Sequence, residues 1–445
     1  LAYGDEWRSR NADGAACPQN WVPLGLRCDA DADGFLPQEI NPIQEDTTAF
    51  YVMLRYGKEF DNGWNLSGNY GIRYVKTERA AQGFTAFNLG TFPTEETCLE
   101  PVPPGQELTP FCGLAPDVRQ GARDFANGAR EETSAEIEYD YFLPSFNAKL
   151  EVGNGLQFRL GLSQAITPPD LGLTRNYYNI SLSANAQDIV DGRPTGRFSV
   201  GNPYLKPIFS TNYDASVEWY FADVGQLTLS LFYKELEDVI TNGVQRLSFT
   251  NNGATFDSVV TTPVNSDETG KIKGFEVAYQ QTYDFLPAPF DGFGVNANYT
   301  YIDSEGVAQS TLSSTDPDVA AGRVSNVDTS LLPLQHLSKH TVNLAGFYEK
   351  GRISARLAYA WRSEFLITPR DVIVPYAPIM NEDTGQLDGS IFYTVNDNWK
   401  VGLQAVNLTN EITRTSQVLN NDLLRAPRSW FMNDRRFTLI ARATF

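Results

Sequence analysis

Histidine is almost missing from this chain of 445 residues, at two copies, and cysteine is limited to four. Neither type stands at zinc-ligand spacing, so a metalloenzyme has little to build on. G-x-S-x-G elbows, Walker loops and dinucleotide-binding glycine fingerprints are absent as well. No stretch approaches the ~18 apolar residues that a membrane helix needs. The first residues, LAYGDEWRSR, show no signal-peptide anatomy. Positive charge is in short supply: 35 Lys and Arg face 54 Asp and Glu, a net −19. Such a balance repels phosphate backbones and excludes nucleic acid as a partner. The chain is therefore either soluble or membrane-spanning by some means other than helices.

What is present is aromatic and turn-rich, with 12% Phe, Trp and Tyr, 35 Gly and 25 Pro. Helical periodicity is scarce, and segments of about ten residues alternate apolar and polar with a period of two, the mark of strands. Leu227, Leu229, Leu231 and Tyr233 oppose Thr228, Ser230, Phe232 and Lys234. Phe437, Leu439, Ala441, Ala443 and Phe445 oppose Thr438, Ile440, Arg442 and Thr444. Brief turns such as Gly153-Asn154-Gly155 and Lys350-Gly351 alternate with long polar excursions, at about 77–133, 167–209, 241–270, 304–337, 366–388 and 411–434. Short turns at one end, long loops at the other and apolar rows tipped with aromatics describe an all-β, antiparallel transmembrane β-barrel of the outer membrane. A sandwich or propeller would space its loops more evenly.

The pattern predicts thirteen strands, near 47–57, 63–76, 135–151, 156–166, 210–222, 226–240, 271–284, 291–304, 338–349, 352–365, 386–395, 399–410 and 435–445. Bacterial single-chain barrels close with an even number. An unclosed edge in lipid leaves backbone groups unsatisfied at several kcal/mol each. The expectation is that 47–445 is the C-terminal part of a larger barrel and that 1–46 is an extracellular loop segment. The cysteines fall as two close pairs, Cys17 with Cys28 and Cys98 with Cys112, in polar stretches rich in Gly, Pro and Asp. Four cysteines allow three connectivities, of which the nearest-neighbour one is simplest. It fits an oxidising compartment.

The segment Gly201-Asn202-Pro203-Tyr204-Leu205-Lys206-Pro207 before 210–221, the strand 229–240 and the start 271–279, KIKGFEVAY, resemble ordered elements of the TonB-dependent outer-membrane receptor family. The stretches 143–151, 333–365, 405–411 and 435–445 fit the same order. The branch it looks most like is one linked to oligosaccharide uptake. The resemblance implies a barrel of about twenty-two strands, of which thirteen C-terminal ones are here, around an N-terminal plug. Neither plug nor early strands nor a TonB-contacting segment is visible in this chain. It also implies a Gram-negative outer membrane, the TonB complex reached through that plug, and an assembly machinery that reads the terminal aromatic, here Phe445. Uptake of a scarce solute follows, with carbohydrate ahead of a siderophore–iron complex. A passive porin and, more distantly, an outer-membrane hydrolase are the other readings.

Ligand recognition falls to the loops, since the wall is scaffold. The candidates are Trp7, Trp21, Arg175, Tyr177, Tyr178, Arg193, Arg197 and Trp430, whose rings can stack on sugars and whose guanidinium groups can bond hydroxyls. Asp29, Asp31, Asp33 and Gly34 begin like a calcium loop, yet its twelfth position is Ile40, with Glu39 the nearest carboxylate, so a structural Ca²⁺ there is a candidate with an incomplete ligand set. No cofactor is otherwise required, and no catalysis is expected. His336 and His340, four apart at the mouth of a predicted strand, are read as solvated loop-end residues sharing a face rather than as a metal pair.

Overall fold

The computed structural model describes residues 40–102, 105, 108–182, 200–306, 324–373 and 375–444. Its strands are β1 (Ile43–Glu59), β2 (Asn65–Phe87), β3 (Arg130–Gly153), β4 (Leu156–Thr167), β5 (Tyr178–Ile180), β6 (Ile208–Ala222), β7 (Gly225–Glu237), β8 (Ile240–Asn251), β9 (Ala254–Asn265) and β10 (Gly270–Thr282). There follow β11 (Phe293–Glu305), β12 (His340–Lys350), β13 (Ile353–Arg362), β14 (Phe365–Thr368), β15 (Ile379–Asn381), β16 (Thr384–Thr394), β17 (Trp399–Val406), β18 (Ile412–Val418), β19 (Arg425–Met432) and β20 (Arg436–Ala443). Two short helices, α1 (Glu95–Leu99) and α2 (Pro116–Phe125), lie between β2 and β3.

Thirteen strands form a single path, β1-β2-β3-β4-β6-β7-β10-β11-β12-β13-β16-β17-β20. Each matches one of the thirteen expected strands. Neighbours on the path are antiparallel, and directly opposed residues share a face. One row across five strands is Leu160, Ala215, Leu231, Phe275 and Tyr301. The adjacent row, one residue along, is Arg159, Ser216, Ser230, Glu276 and Thr300. The sheet thus has an apolar face and a polar face. Apolar-row side chains stay open to the surroundings, with Leu231 50% exposed, Leu357 56% and Leu439 85%. In water each would forgo roughly 1.5–3 kcal/mol of burial, whereas hydrocarbon meets them at no such cost. Among the described residues the outer edges of β1 and β20 pair with no further strand.

Within the expected excursions the described residues form further elements. Strand β2 continues to Phe87 instead of ending near 76, because β3 follows it as far as the Ala86–Arg130 pair and β5 joins it in parallel past the start of β1. Hairpin β8–β9 rises from β7 and β10. The order β14-β15-β18-β19 repeats that of β13-β16-β17-β20 beneath it, so that loop sheet prolongs the wall. Two cores sit at this end. Phe87, Phe111, Phe125 and Ile180 form one, with Phe249 and Phe256 of the hairpin against it; Val327, Leu332, Leu366, Met380 and Val418 form the other.

Candidate ligand-binding site at the loop end

The segment 201–207 is held from three sides. Asn202 donates from its backbone N–H to the Leu173 carbonyl at 2.8 Å, and from Nδ2 to the Pro263 carbonyl at 2.9 Å. Asn265 of β9 accepts from the Lys206 N–H at 2.9 Å and donates to the Lys206 carbonyl at 3.0 Å. From the wall, Arg79 Nη1 donates to the Leu205 carbonyl at 3.2 Å. Gly201 is needed because a Cβ there would meet the Arg175 carbonyl oxygen at 1.9 Å. This clamping leaves Tyr204 presented outward, 57% exposed. Tyr204 belongs to the motif that carries the family resemblance but not to the expected ligand residues; its place at the centre of a Gly/Pro-flanked element is the signal that could have found it.

Arg175 lies on the adjoining loop. Its Nε donates to the Gly172 carbonyl at 2.9 Å, and its guanidinium stands 4.9 Å from the Tyr177 ring centroid. Tyr178 opens β5 and packs 5.6 Å from Phe249; burial, and then the nearby Tyr204, push its phenol above the ordinary range. The structure therefore brings Arg175, Tyr177 and Tyr178 into one neighbourhood with Tyr204. Trp430 is elsewhere, 61% exposed on β19, where it opposes Arg414. Trp7, Trp21, Arg193, Arg197, Asp29, Asp31, Asp33, Glu39 and Phe445 lie outside the described residues.

Of the two expected disulfides, one is seen. Cys98 and Cys112 are bonded, with Cα atoms 5.0 Å apart. The other expected bridge, between Cys17 and Cys28, falls on residues outside the described ones: both Cys17 and Cys28 belong to the 1–39 stretch. The Cys98–Cys112 bridge joins α1 to the turn before α2. Arg119 of α2 bonds Glu95 at 2.9 Å and the Cys112 carbonyl at 3.0 Å. Arg119, then Arg123, hold the Glu95 carboxyl below its usual range.

The histidines do not share a face. His336 has φ 64° and sits exposed in a turn 6.4 Å from the Phe365 ring, because the strand begins only at His340. His340 is half-buried, its Nδ1 2.8 Å from the Tyr299 hydroxyl and its ring 5.3 Å from Tyr301. It is packed rather than solvated. Among the described residues no group of His, Cys, Asp and Glu could hold a metal ion.

Along the polar face, Asn147 donates to Asn69 at 3.0 Å, Asn343 donates to Asn298 at 2.8 Å and Arg159 pairs with Glu218 at 2.8 Å. A concavity of about 850 Å³ opens there, lined among others by Arg55, Lys149, Asp214, Lys234 and Glu276. A sequence model described as "TonB dependent receptor-like, beta-barrel" matches residues 1–408. The chain belongs to the TonB-dependent receptor family. Its apolar face is accordingly the lipid face of a Gram-negative outer-membrane barrel, and the family is one of receptors and transporters rather than enzymes.

No curated protein matches the chain. Among solved structures, the ferric-catecholate import receptor Fiu from Escherichia coli K12 is similar at 16% identity, covering 91% of this chain and 45% of its own, with TM-score 0.49. A mutant of the ferric enterobactin receptor PfeA from Pseudomonas aeruginosa is similar at 12% identity, with 90% and 54% covered and TM-score 0.47. The ferric yersiniabactin uptake receptor FyuA from Yersinia pestis is similar at 12% identity, with 84% and 42% covered and TM-score 0.46. The chain spans about half the length of these structures.

Proposed function

We propose that the thirteen-strand wall is part of an outer-membrane receptor that takes up a scarce solute with energy delivered through TonB, and that the solute is a carbohydrate. The observation that carries the ligand class is the outward Tyr204 beside the Arg175–Tyr177 pair. A flat ring on a clamped loop offers a stacking surface, and the guanidinium and neighbouring amides offer bonds to hydroxyls. The unpaired outer edges of β1 and β20, among the described residues, support a wider barrel, since lipid tolerates no open edge. On this reading a plug elsewhere in the receptor makes the TonB contact, residues 1–46 serve as an extracellular loop carrying a Cys17–Cys28 bridge, and Phe445 serves the assembly machinery.

The test is ligand binding by the complete receptor, with oligosaccharides and ferric chelates compared on wild type and Tyr204→Ala. Oligosaccharide affinity that falls in the variant supports the proposal. Affinity for ferric chelates alone makes the receptor a siderophore–iron importer. Uptake that survives collapse of the inner-membrane proton gradient makes it a passive porin.

A further inference from the structure

At the end opposite the ligand loops, connections between wall strands are brief except one. Residues 283–292, between β10 and β11, contain Tyr283, Phe285, Leu286, Pro287, Pro289 and Phe290. Phe285 is 68% exposed and Phe290 54%. This turn is fastened to the lipid-face row rather than left free. The Tyr348 hydroxyl donates to the Pro289 carbonyl at 3.1 Å, Phe290 stacks on Phe293 at 6.3 Å, and Asp291 pairs with Lys350.

Next to the turn, the lipid face is hollowed. A groove of about 700 Å³ runs along β11, β12, β13, β16 and β17. Its floor includes Gly346, Ala355, Gly389 and Ala405, and Leu286 and Phe290 of the turn overhang it. The registers place all four floor residues on the apolar face, with Gly346 opposite Leu357 and Gly389 opposite both Leu357 and Ala405. The volume falls within the ~300–1,000 Å³ usual for small-molecule sites. In the turn that joins β12 to β13, two of the groove's strands, stands Arg352, exposed, with Nη1 donating to the Val395 carbonyl at 3.3 Å. Its neighbour Lys350 is already committed to Asp291, which leaves Arg352 as the exposed cation of that turn.

We propose that this groove is a binding site for a phospholipid of the periplasm-facing leaflet, with an acyl chain lying over the glycine and alanine floor and the phosphate at Arg352. Three features select that occupant. The groove is continuous with the lipid face, so hydrocarbon already reaches it. The overhanging aromatic turn encloses a chain that an open wall would only border. The short-turn end of an outer-membrane barrel faces the periplasm, where phospholipid and not lipopolysaccharide forms the leaflet. The site rests on the barrel reading and is independent of the ligand class taken up at the loops.

The test is lipid retention by the complete receptor, purified in mild detergent and read by native mass spectrometry with headgroup analysis of extracted lipid. Gly346→Leu fills the groove without strain, because no atom lies within 4 Å of where its Cβ would sit. Ala297→Leu places the same side chain on the lipid face outside the groove. Wild type and Ala297→Leu should carry phospholipid through detergent exchange, Gly346→Leu should lose it, and Arg352→Ala should retain less, all with heat-modifiable migration intact. Equal retention in Gly346→Leu, lipopolysaccharide as the retained species, or no lipid in wild type would overturn the proposal. Loss of heat-modifiable migration in wild type itself would overturn the barrel reading as well.

Discussion

Arg79 and Leu205 are joined across 126 residues of chain by one bond, guanidinium to carbonyl at 3.2 Å, with the Arg79 side chain wholly buried. The same guanidinium bonds Glu45 of β1 at 2.9 Å and the Tyr139 hydroxyl of β3 at 3.1 Å. One side chain thereby ties three wall strands to the segment that presents Tyr204. Removing Glu45 leaves a buried cation without its counter-charge, so Glu45→Ala should destabilise by about 3 kcal/mol. Lys76→Ala breaks only exposed pairs, with Glu78 and Glu138, and should change stability by less than about 1 kcal/mol. Urea unfolding of the receptor in lipid vesicles, followed by tryptophan fluorescence, measures both.

The Cys98–Cys112 bridge closes a 14-residue separation in the cap that carries Phe111 and Phe125. Replacing both cysteines with serine should lower cap stability by roughly 3 kcal/mol, because the open chain regains loop entropy. The cap between β2 and β3 should then be cut by external protease while the wall strands stay resistant. Unchanged resistance would show that Phe87, Phe111 and Phe125 hold the cap without the bridge.

The ion pair of Glu95 with Arg119 gives the cap a pH dependence of definite sign. Arg119 and Arg123 lower the Glu95 pKa in the folded cap. Its contribution is therefore complete above the unfolded glutamate value, near ~4.3, and is lost as pH falls through the folded value. The protection of α2 amides, taken as exchange relative to the intrinsic rate at each pH, should fall as the solution is acidified below that point. Glu95→Gln should remove this dependence, and exchange that instead accelerates on raising the pH beyond its base-catalysed rate would contradict it.

Gly83 sits where β2 passes the 170–177 loop, and a Cβ there would meet the Asn176 carbonyl oxygen at 1.6 Å. The obstacle is backbone, so it cannot rotate away. Gly83→Ala should cost about 1–3 kcal/mol of overpacking and shift the Arg175–Tyr177 loop, weakening ligand binding more than barrel assembly. Parallel measurements of affinity and heat-modifiability separate the two effects.

The wall was legible in the sequence because each strand carries its own period-two record of two environments, as Leu227, Leu229 and Leu231 show against Thr228 and Ser230. The loop end was not, although signals were there. Asn252-Gly253 joins β8 to β9 with φ 47° and 80°, the positive pair of a tight hairpin turn. In α2, Pro116 stands at the helix start, and Val118, Ala122 and Phe125 recur at helical spacing. Both lie in the long polar stretches 77–133 and 241–270, whose length and polarity predict loops. The burial of His340 against Tyr299 and Tyr301 depends on register between β11 and β12, which no single strand records. The neighbourhood of Arg175, Tyr177, Tyr178 and Tyr204 likewise forms only once the hairpin and the 201–207 segment are packed together.

The central claim is that the two faces of the wall meet two solvents. Single cysteines placed along 227–232 of β7 in the complete receptor, spin-labelled in lipid vesicles, test it most directly. Collision rates with membrane-soluble oxygen and with a water-soluble nickel chelate should alternate residue by residue, oxygen highest at 227, 229 and 231 and nickel highest at 228, 230 and 232. Nickel access at 227, 229 and 231 equal to that at their neighbours would contradict the account.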